Sequence, residues 1–145
     1  MRLALHTDYA LRTLIFLAGK PGRATIGQVA EFFAISKDHV AKVVQQLARL
    51  GYIRSIRGIG GGLELARRPH QITVGQVVLD FEGNMHLLEC IGVDGICTIQ
   101  PACRLRGVLA EAERLQVEYL LGVRLSDVVK PGGQLVELVT AGNGS

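Results

Sequence analysis

The chain has 145 residues, 48% of them hydrophobic, enough for one folded core and too many for a disordered chain. Its 16 lysines and arginines exceed its 13 aspartates and glutamates by only three, so a polyanion would be met by clustered charge, not by the total. All 3 cysteines lie in CIGVDGICTIQPAC, Cys90 to Cys103, and an odd count argues against a disulfide framework.

The opening MRLALHTDYALRTLIFLAGKPG contains an apolar run from Leu14 to Ala18 that resembles a signal sequence, but His6, Asp8 and Arg12 break that pattern. Leu11, Leu14, Ile15 and Ala18 instead recur at i, i+3, i+4 and i+7, which predicts an amphipathic helix. No apolar run is long enough to span a bilayer, so the expectation is a cytoplasmic protein with no membrane contact. Thr25 and Gln28 have capping-box spacing and open a second helix that buries Ile26, Val29, Ala30 and Phe33. Ala34 and Ile35 make a tight connection, Ser36 caps a third helix with the stripe Val40, Val43, Val44 and Leu47, and Gly51 stops it. This is the pattern of a helix-turn-helix.

The outward residues of the third helix, Lys37, Asp38, His39, Lys42, Gln45, Gln46 and Arg49, suit phosphates and base edges, or water alone. The next segment, YIRSIRGIGGGLELA, reads as two short strands about a glycine turn, a wing carrying Arg54 and Arg57 with Arg67 and Arg68 at its base. An arginine at such a tip suits the narrow minor groove. The glycines serve the turn; a phosphate-cradling loop would need a helix after it.

Thr73 to Glu82 predicts a short packing helix with Val77, Val78 and Phe81 inward. After the cysteine loop, Leu105, Val108, Leu109, Ala112, Leu115 and Tyr119 fall at helical spacing and form a face to cover the core or to pair with a second copy; we favour the dimer. Leu125 to Val129 is expected to dock as a last turn before Pro131 and Gly132 end regular structure. The expected fold is mainly α with a small β-hairpin wing: a winged helix-turn-helix over 1–82, a cysteine loop over 83–103, a dimerisation helix and docking turn over 104–130, and a flexible tail over 131–145.

The cysteine spacing is C-x6-C-x5-C, without the paired knuckles of structural zinc, although His86 could supply a fourth zinc ligand. Soft thiolates in a glycine- and proline-punctuated loop also suit an iron-sulfur cluster, whose fourth position a histidine, carboxylate, water or small thiol would fill. The plain alternative is three small residues packed under a loop. A cysteine nucleophile would need a base; His86 is the nearby candidate, and no oxyanion-stabilising motif accompanies it. No catalysis is expected.

Three stretches, HTDYALRTLIFLA, SKDHVAKVVQQLARLGYIRSIRGIGGGLELAR and CTIQPACRLRGVLAEA, together resemble the winged-helix iron-sulfur repressors of the NsrR type, a family that also contains IscR. The resemblance spans residues 1 to about 130, and its most specific part is the cysteine trio before the RLRGVL-type helix. It implies that Cys90, Cys97 and Cys103 hold a cluster, 4Fe-4S by preference with 2Fe-2S as the alternative, and that Asp8 of the partner subunit supplies an oxygen ligand. Arg12, one turn on, would orient that carboxylate or simply lie exposed. IscR-type proteins place a histidine where this chain has Arg106, a departure that favours the NsrR type; the six-residue first interval is slightly longer than the family's.

The resemblance further implies DNA contacts at Ser36, Lys37, Asp38, His39 and Lys42 and, at the wing, at Arg57, with Arg54 added from the wing's own charge. The implied function is a homodimeric transcriptional repressor that binds palindromic operator DNA with its cluster intact and releases it when nitric oxide nitrosylates the iron. The alternatives are a zinc-binding or thiol-redox-switched winged-helix regulator, or a cluster-biogenesis regulator of the IscR type.

Overall fold

The computed structural model describes residues 2–130 and 134–141. Helix α1 (Leu5–Gly19) runs through the middle of the molecule, against α3 (Lys37–Arg49), α4 (Val74–Glu82), α7 (Leu125–Val128), α8 (Gln134–Ala141) and strand β2 (Gly62–Leu65). Because neighbours surround it, its burial is not confined to one stripe. Thr7, Ala10, Thr13, Leu14, Phe16 and Leu17 are buried, whereas Leu11, Ile15 and Ala18 of the expected face are only half-buried. No side chain of its own caps this helix: Ala4 occupies the cap, and Glu82 at the end of α4 accepts from Ala4 N at 2.6 Å and Thr7 Oγ1 at 2.8 Å. The carboxylate therefore satisfies one orphan backbone N–H and a side-chain hydroxyl where the helix dipole favours negative charge.

Helix α2 (Ile26–Phe33) starts at the expected capping box, with Thr25 Oγ1 accepting from Gln28 N and Gln28 returning the bond to Thr25 N. It ends at Ala34 in the left-handed region, φ 54°, which turns the chain into α3 through the short link from Ala34 to Ser36. Ser36 caps α3 by accepting from His39 N at 3.2 Å, and Val40, Val43, Val44 and Leu47 are buried as the stripe predicts. Each such side chain fully removed from water stabilises the fold by about 1.5–3 kcal/mol.

Strand β1 (Ile53–Ile56) pairs antiparallel with β2 in the register Ile53 to Leu65, Arg54 to Glu64, Ser55 to Leu63 and Ile56 to Gly62. The hairpin is fastened to the core on its far side, where Ala24 and Leu63 exchange backbone hydrogen bonds of 3.1 and 2.7 Å. Gly61 makes the tip possible, since a Cβ there would collide with the carbonyl of Ile56.

After a 3-10 turn at Pro69–Gln71, Thr73 caps α4 through Gln76 N, and Val77, Val78 and Phe81 are buried. The cysteine loop contains one helical turn, α5 (Glu89–Gly92), and leads through a 3-10 turn at Gln100–Ala102 into α6 (Arg104–Leu121). Helices α4 and α6 pack so closely that a Cβ on Gly75 would come within 2.5 Å of Leu121 N. Among the described residues α6 buries no side chain within this chain: Leu105, Val108, Ala112, Leu115 and Tyr119, at i, i+3, i+7, i+10 and i+14, face solvent, Val108 being 63% and Tyr119 72% exposed.

The tail departs from expectation. Residues 134–141 form α8, and Val139 is completely buried beside Gly19 and Val129, because its apolar face finds the end of α1 and the docked α7. Residues 131–133 and 142–145 of the expected tail lie outside the described residues.

Candidate functional site

Exposed basic residues stand at the start of α3 and along the wing. Ser36, Lys37, Asp38, His39 and Lys42 are all exposed, although Ser36 uses an oxygen lone pair for its cap and keeps only its hydroxyl proton and second lone pair for other partners. Lys37 runs back along α2, its Cε 3.3 Å from where a Cβ of Gly27 would stand. At the wing tip Arg57 and Ile59 are exposed, and no ion pair engages Arg57 among the described residues. Arg54 is occupied: its Nε donates to Glu64 Oε1 at 2.7 Å, and Arg23 donates to Glu64 Oε2 at 3.2 Å and to Gly60 O at 2.9 Å. The two guanidinium groups hold the Glu64 carboxyl below the usual carboxylate range, the Arg54 hydrogen bond being the largest cause. Arg67, expected in the basic ridge, instead donates to Leu50 O at 3.0 Å and lies 4.5 Å over the Tyr52 ring.

The first turns of α1 touch both helices of the helix-turn-helix. Arg12 Nε donates to Asp8 Oδ1 at 3.0 Å while its guanidinium lies 5.8 Å over the Phe33 ring, and Tyr9 stands 6.0 Å from the ring of His39. Asp8 remains 40% exposed and lines an open depression with Arg2, Leu3, Ala4 and Leu5. Helix α4 extends the connection through successive residues. Asp80 accepts from the Tyr52 hydroxyl, the carbonyl of Phe81 meets His6 Nε2 at 3.0 Å, and Glu82 caps α1.

Cys90, Cys97 and Cys103 are free thiols, Cys97 exposed and the others half-buried. His86, the nearby histidine, places Nδ1 2.7 Å from Glu113 Oε1 and its ring against Gly92, where a Cβ would come within 2.7 Å of Nε2. Arg106 donates to Asp94 at 2.8 Å and closes one side of a cavity of about 290 Å³ beside Cys97. The described residues of one chain gather no group of three or more His, Cys, Asp or Glu side chains fit to hold a metal ion. The donor set itself, three unpaired thiols, has the softness that iron-sulfur chemistry takes, so Cys90, Cys97 and Cys103 fit such a group by donor type, with a further donor left to come from elsewhere.

Gln100, Glu82, Tyr9 and Asp80 are the residues that sequence reasoning missed. Glu82, Tyr9 and Asp80 act through partners far off in sequence and Gln100 through irregular loop backbone, so no local spacing marks them.

A helix-turn-helix with a hairpin wing, followed by a three-thiol loop and a long helix with an open apolar face, defines the winged-helix class of transcriptional regulators. The chain belongs to the Rrf2 family, described as iron-dependent transcriptional regulators, whose family model matches residues 3–131. It is 41% identical over 142 residues to the HTH-type transcriptional regulator NsrR of Bacillus subtilis (strain 168), covering 96% of this chain and 97% of that one. It is 39% identical over 142 residues to the NsrR of Geobacillus kaustophilus (strain HTA426), with the same shares. Among solved structures, CymR, the global cysteine regulator of B. subtilis, matches with a TM-score of 0.76 at 23% identity, covering 92% of this chain and 99% of that one. T. potens IscR matches with a TM-score of 0.72 at 22% identity, covering 92% and 89%. These two likenesses establish the fold. The protein is a transcriptional regulator and not an enzyme.

Proposed function

We propose that this protein is a cytoplasmic homodimeric repressor that binds palindromic operator DNA while it carries an iron-sulfur cluster, 4Fe-4S in preference to 2Fe-2S, and that nitric oxide ends the binding by nitrosylating that cluster. The observation that carries this reading is the loop: three free thiols at the foot of α6 in a chain 41% identical to an NsrR. Cys90, Cys97 and Cys103 would hold the cluster, with Asp8 of the partner subunit as the oxygen donor. When bound, the cluster supplies iron that reacts with nitric oxide. The open depression around Asp8 and the exposed apolar residues Val93, Ile96 and Ile99 of the loop support such a meeting of two chains. The Arg106–Asp94 pair, at the position where an IscR-type histidine would stand, weighs against that alternative.

The chain's own contacts provide the link to DNA. Arg12 orients the Asp8 carboxylate. A displaced Asp8 turn pulls on Tyr9 against His39, on Arg12 against Phe33, and on Glu82, whose neighbour Asp80 holds the foot of the wing. Both reading elements thus share a base with the Asp8 turn. Two heads must sit about 34–36 Å apart to enter successive major grooves, so a small rotation at that base costs operator affinity. Ser36, Lys37, Asp38, His39 and Lys42 would meet the major groove and its phosphates, and Arg57 the minor groove, with Arg54 in a supporting place.

Anaerobic absorbance and native mass spectrometry during nitric oxide titration test the reading. The expected result is a brown dimer whose cluster mass is replaced by nitrosylated species as operator binding is lost. Colourless protein carrying stoichiometric zinc would overturn it.

A further inference from the structure

The loop from Gly83 to Cys103 has almost no core of its own. Leu88, Val93, Ile96 and Ile99 are exposed, and the one buried residue in the segment is polar: Gln100, 7% exposed. Its side-chain amide has two acceptor lone pairs and two N–H donors, and all four are used on loop backbone. Oε1 accepts from Gly95 N at 2.8 Å and Ile96 N at 3.1 Å; Nε2 donates to Cys90 O at 3.0 Å and Val93 O at 2.7 Å. Its main chain adds two more bonds, with N–H donating to Cys97 O at 3.1 Å and the carbonyl accepting from Cys103 N at 3.3 Å. One residue thus hydrogen-bonds the backbone of all three cysteines while leaving every thiol free.

We propose that Gln100 is a positioning residue that orders the backbone carrying Cys90, Cys97 and Cys103 and keeps their thiols unspent until metal draws them together, an inference that rests on reading the loop as a cluster site. The physical need is clear. A loop without apolar burial must be ordered by hydrogen bonds, and thiols spent on those bonds would not be available as ligands. A buried amide meets both requirements, because it satisfies two N–H and two C=O groups of the loop backbone. Apolar side chains satisfy none of them, and a carboxylate satisfies only the two donors.

The test uses the full chain as wild type, Gln100→Met and Gln100→Glu, both metal-free and after anaerobic reconstitution with iron and sulfide. Neither variant touches the winged helix, so helical content and the main melting transition should match wild type. In metal-free Gln100→Met, losing the amide's bonds should speed hydrogen exchange at Gly95 and Ile96 about tenfold or more. After reconstitution, its visible absorbance should decay about tenfold faster in chelator than that of wild type, the same loss of order being read at the thiols. Gln100→Glu keeps the acceptor oxygens, so it should restore protection at Gly95 and Ile96 but not cluster retention, since Cys90 O and Val93 O then face a carboxylate. Unchanged amide protection in Gln100→Met overturns the proposal whatever the colour of the wild type, and so does cluster retention equal to wild type. A wild type that takes up no iron, with protection lost in Gln100→Met, overturns the cluster reading and supports Gln100 as the organiser of the three-thiol loop.

Discussion

The hydroxyl of Tyr52, at the foot of the wing, donates to the carboxylate of Asp80 in α4, joining the wing hairpin to the helix that leads into the cysteine loop. Burial above all, then the hydrogen bond and negative charge of Asp80, push the Tyr52 phenol well above its ordinary value, against a smaller lowering by Arg67. The protonated phenol is the folded form's preference. Its contribution is fully present below the ordinary tyrosine value of 10.0 and is lost as pH rises through the folded value. Tyr52→Phe should cost about 1 kcal/mol at neutral pH, a modest loss because Asp80 can hydrate, and should flatten the decline in stability above pH 10 seen by chemical denaturation.

Glu64 neutralises part of the wing's charge by holding Arg54 and Arg23. Glu64→Gln should free Arg54 while Arg23 keeps its bond to Gly60 O, tighten binding to a non-operator duplex, and steepen its salt dependence by about one in log–log slope. Fluorescence anisotropy across a salt series reads this directly. Because the carboxyl is held below its usual range, the clamp is present above the ordinary glutamate value and lost as pH falls through the folded one. Acid should therefore mimic the substitution.

Gly75 sits where α4 meets the end of α6, with Leu120 and Leu121 backbone against it. Neither is a flexible side-chain end that can swing away. Gly75→Ala should force the helices apart and cost about 1–3 kcal/mol by overpacking. Thermal denaturation should show the loss, and the proposed dimer should weaken in sedimentation equilibrium because α6 has been moved.

The face of Leu105, Val108, Ala112, Leu115 and Tyr119 has the spacing of a coiled-coil seam and no cover among the described residues. Leu115→Lys should leave the fold of each chain unchanged within about 0.5 kcal/mol, since the site is exposed, yet should abolish dimer formation. Sedimentation velocity distinguishes the two effects.

Much of this molecule was legible before folding was considered. Ser36 and Thr25 cap the helices their chemistry suits, the Val40–Leu47 stripe is buried, and the glycine turn stands between Ile56 and Leu63. Those are local matters of periodicity, capping and φ, settled within a few residues. Helix α1 was misjudged in its buried face because a helix ringed by neighbours has no single stripe, and α8 was missed because only the ends of α1 and α7 give Val139 a place to bury.

The sequence by itself determined the winged helix, the order of its parts and the placing of three thiols in one loop, because those depend on residue type and near spacing. Tertiary structure alone decided that Glu82 caps α1, that Asp80 holds Tyr52, that Arg54 is paired rather than free, and that Gln100 ties the three cysteines together. Three of these bonds join residues 10, 28 and 78 positions apart, and even the ten-residue reach from Gln100 to Cys90 spans an irregular loop. No periodicity connects such partners; only the folded chain brings their polar atoms within reach of one another.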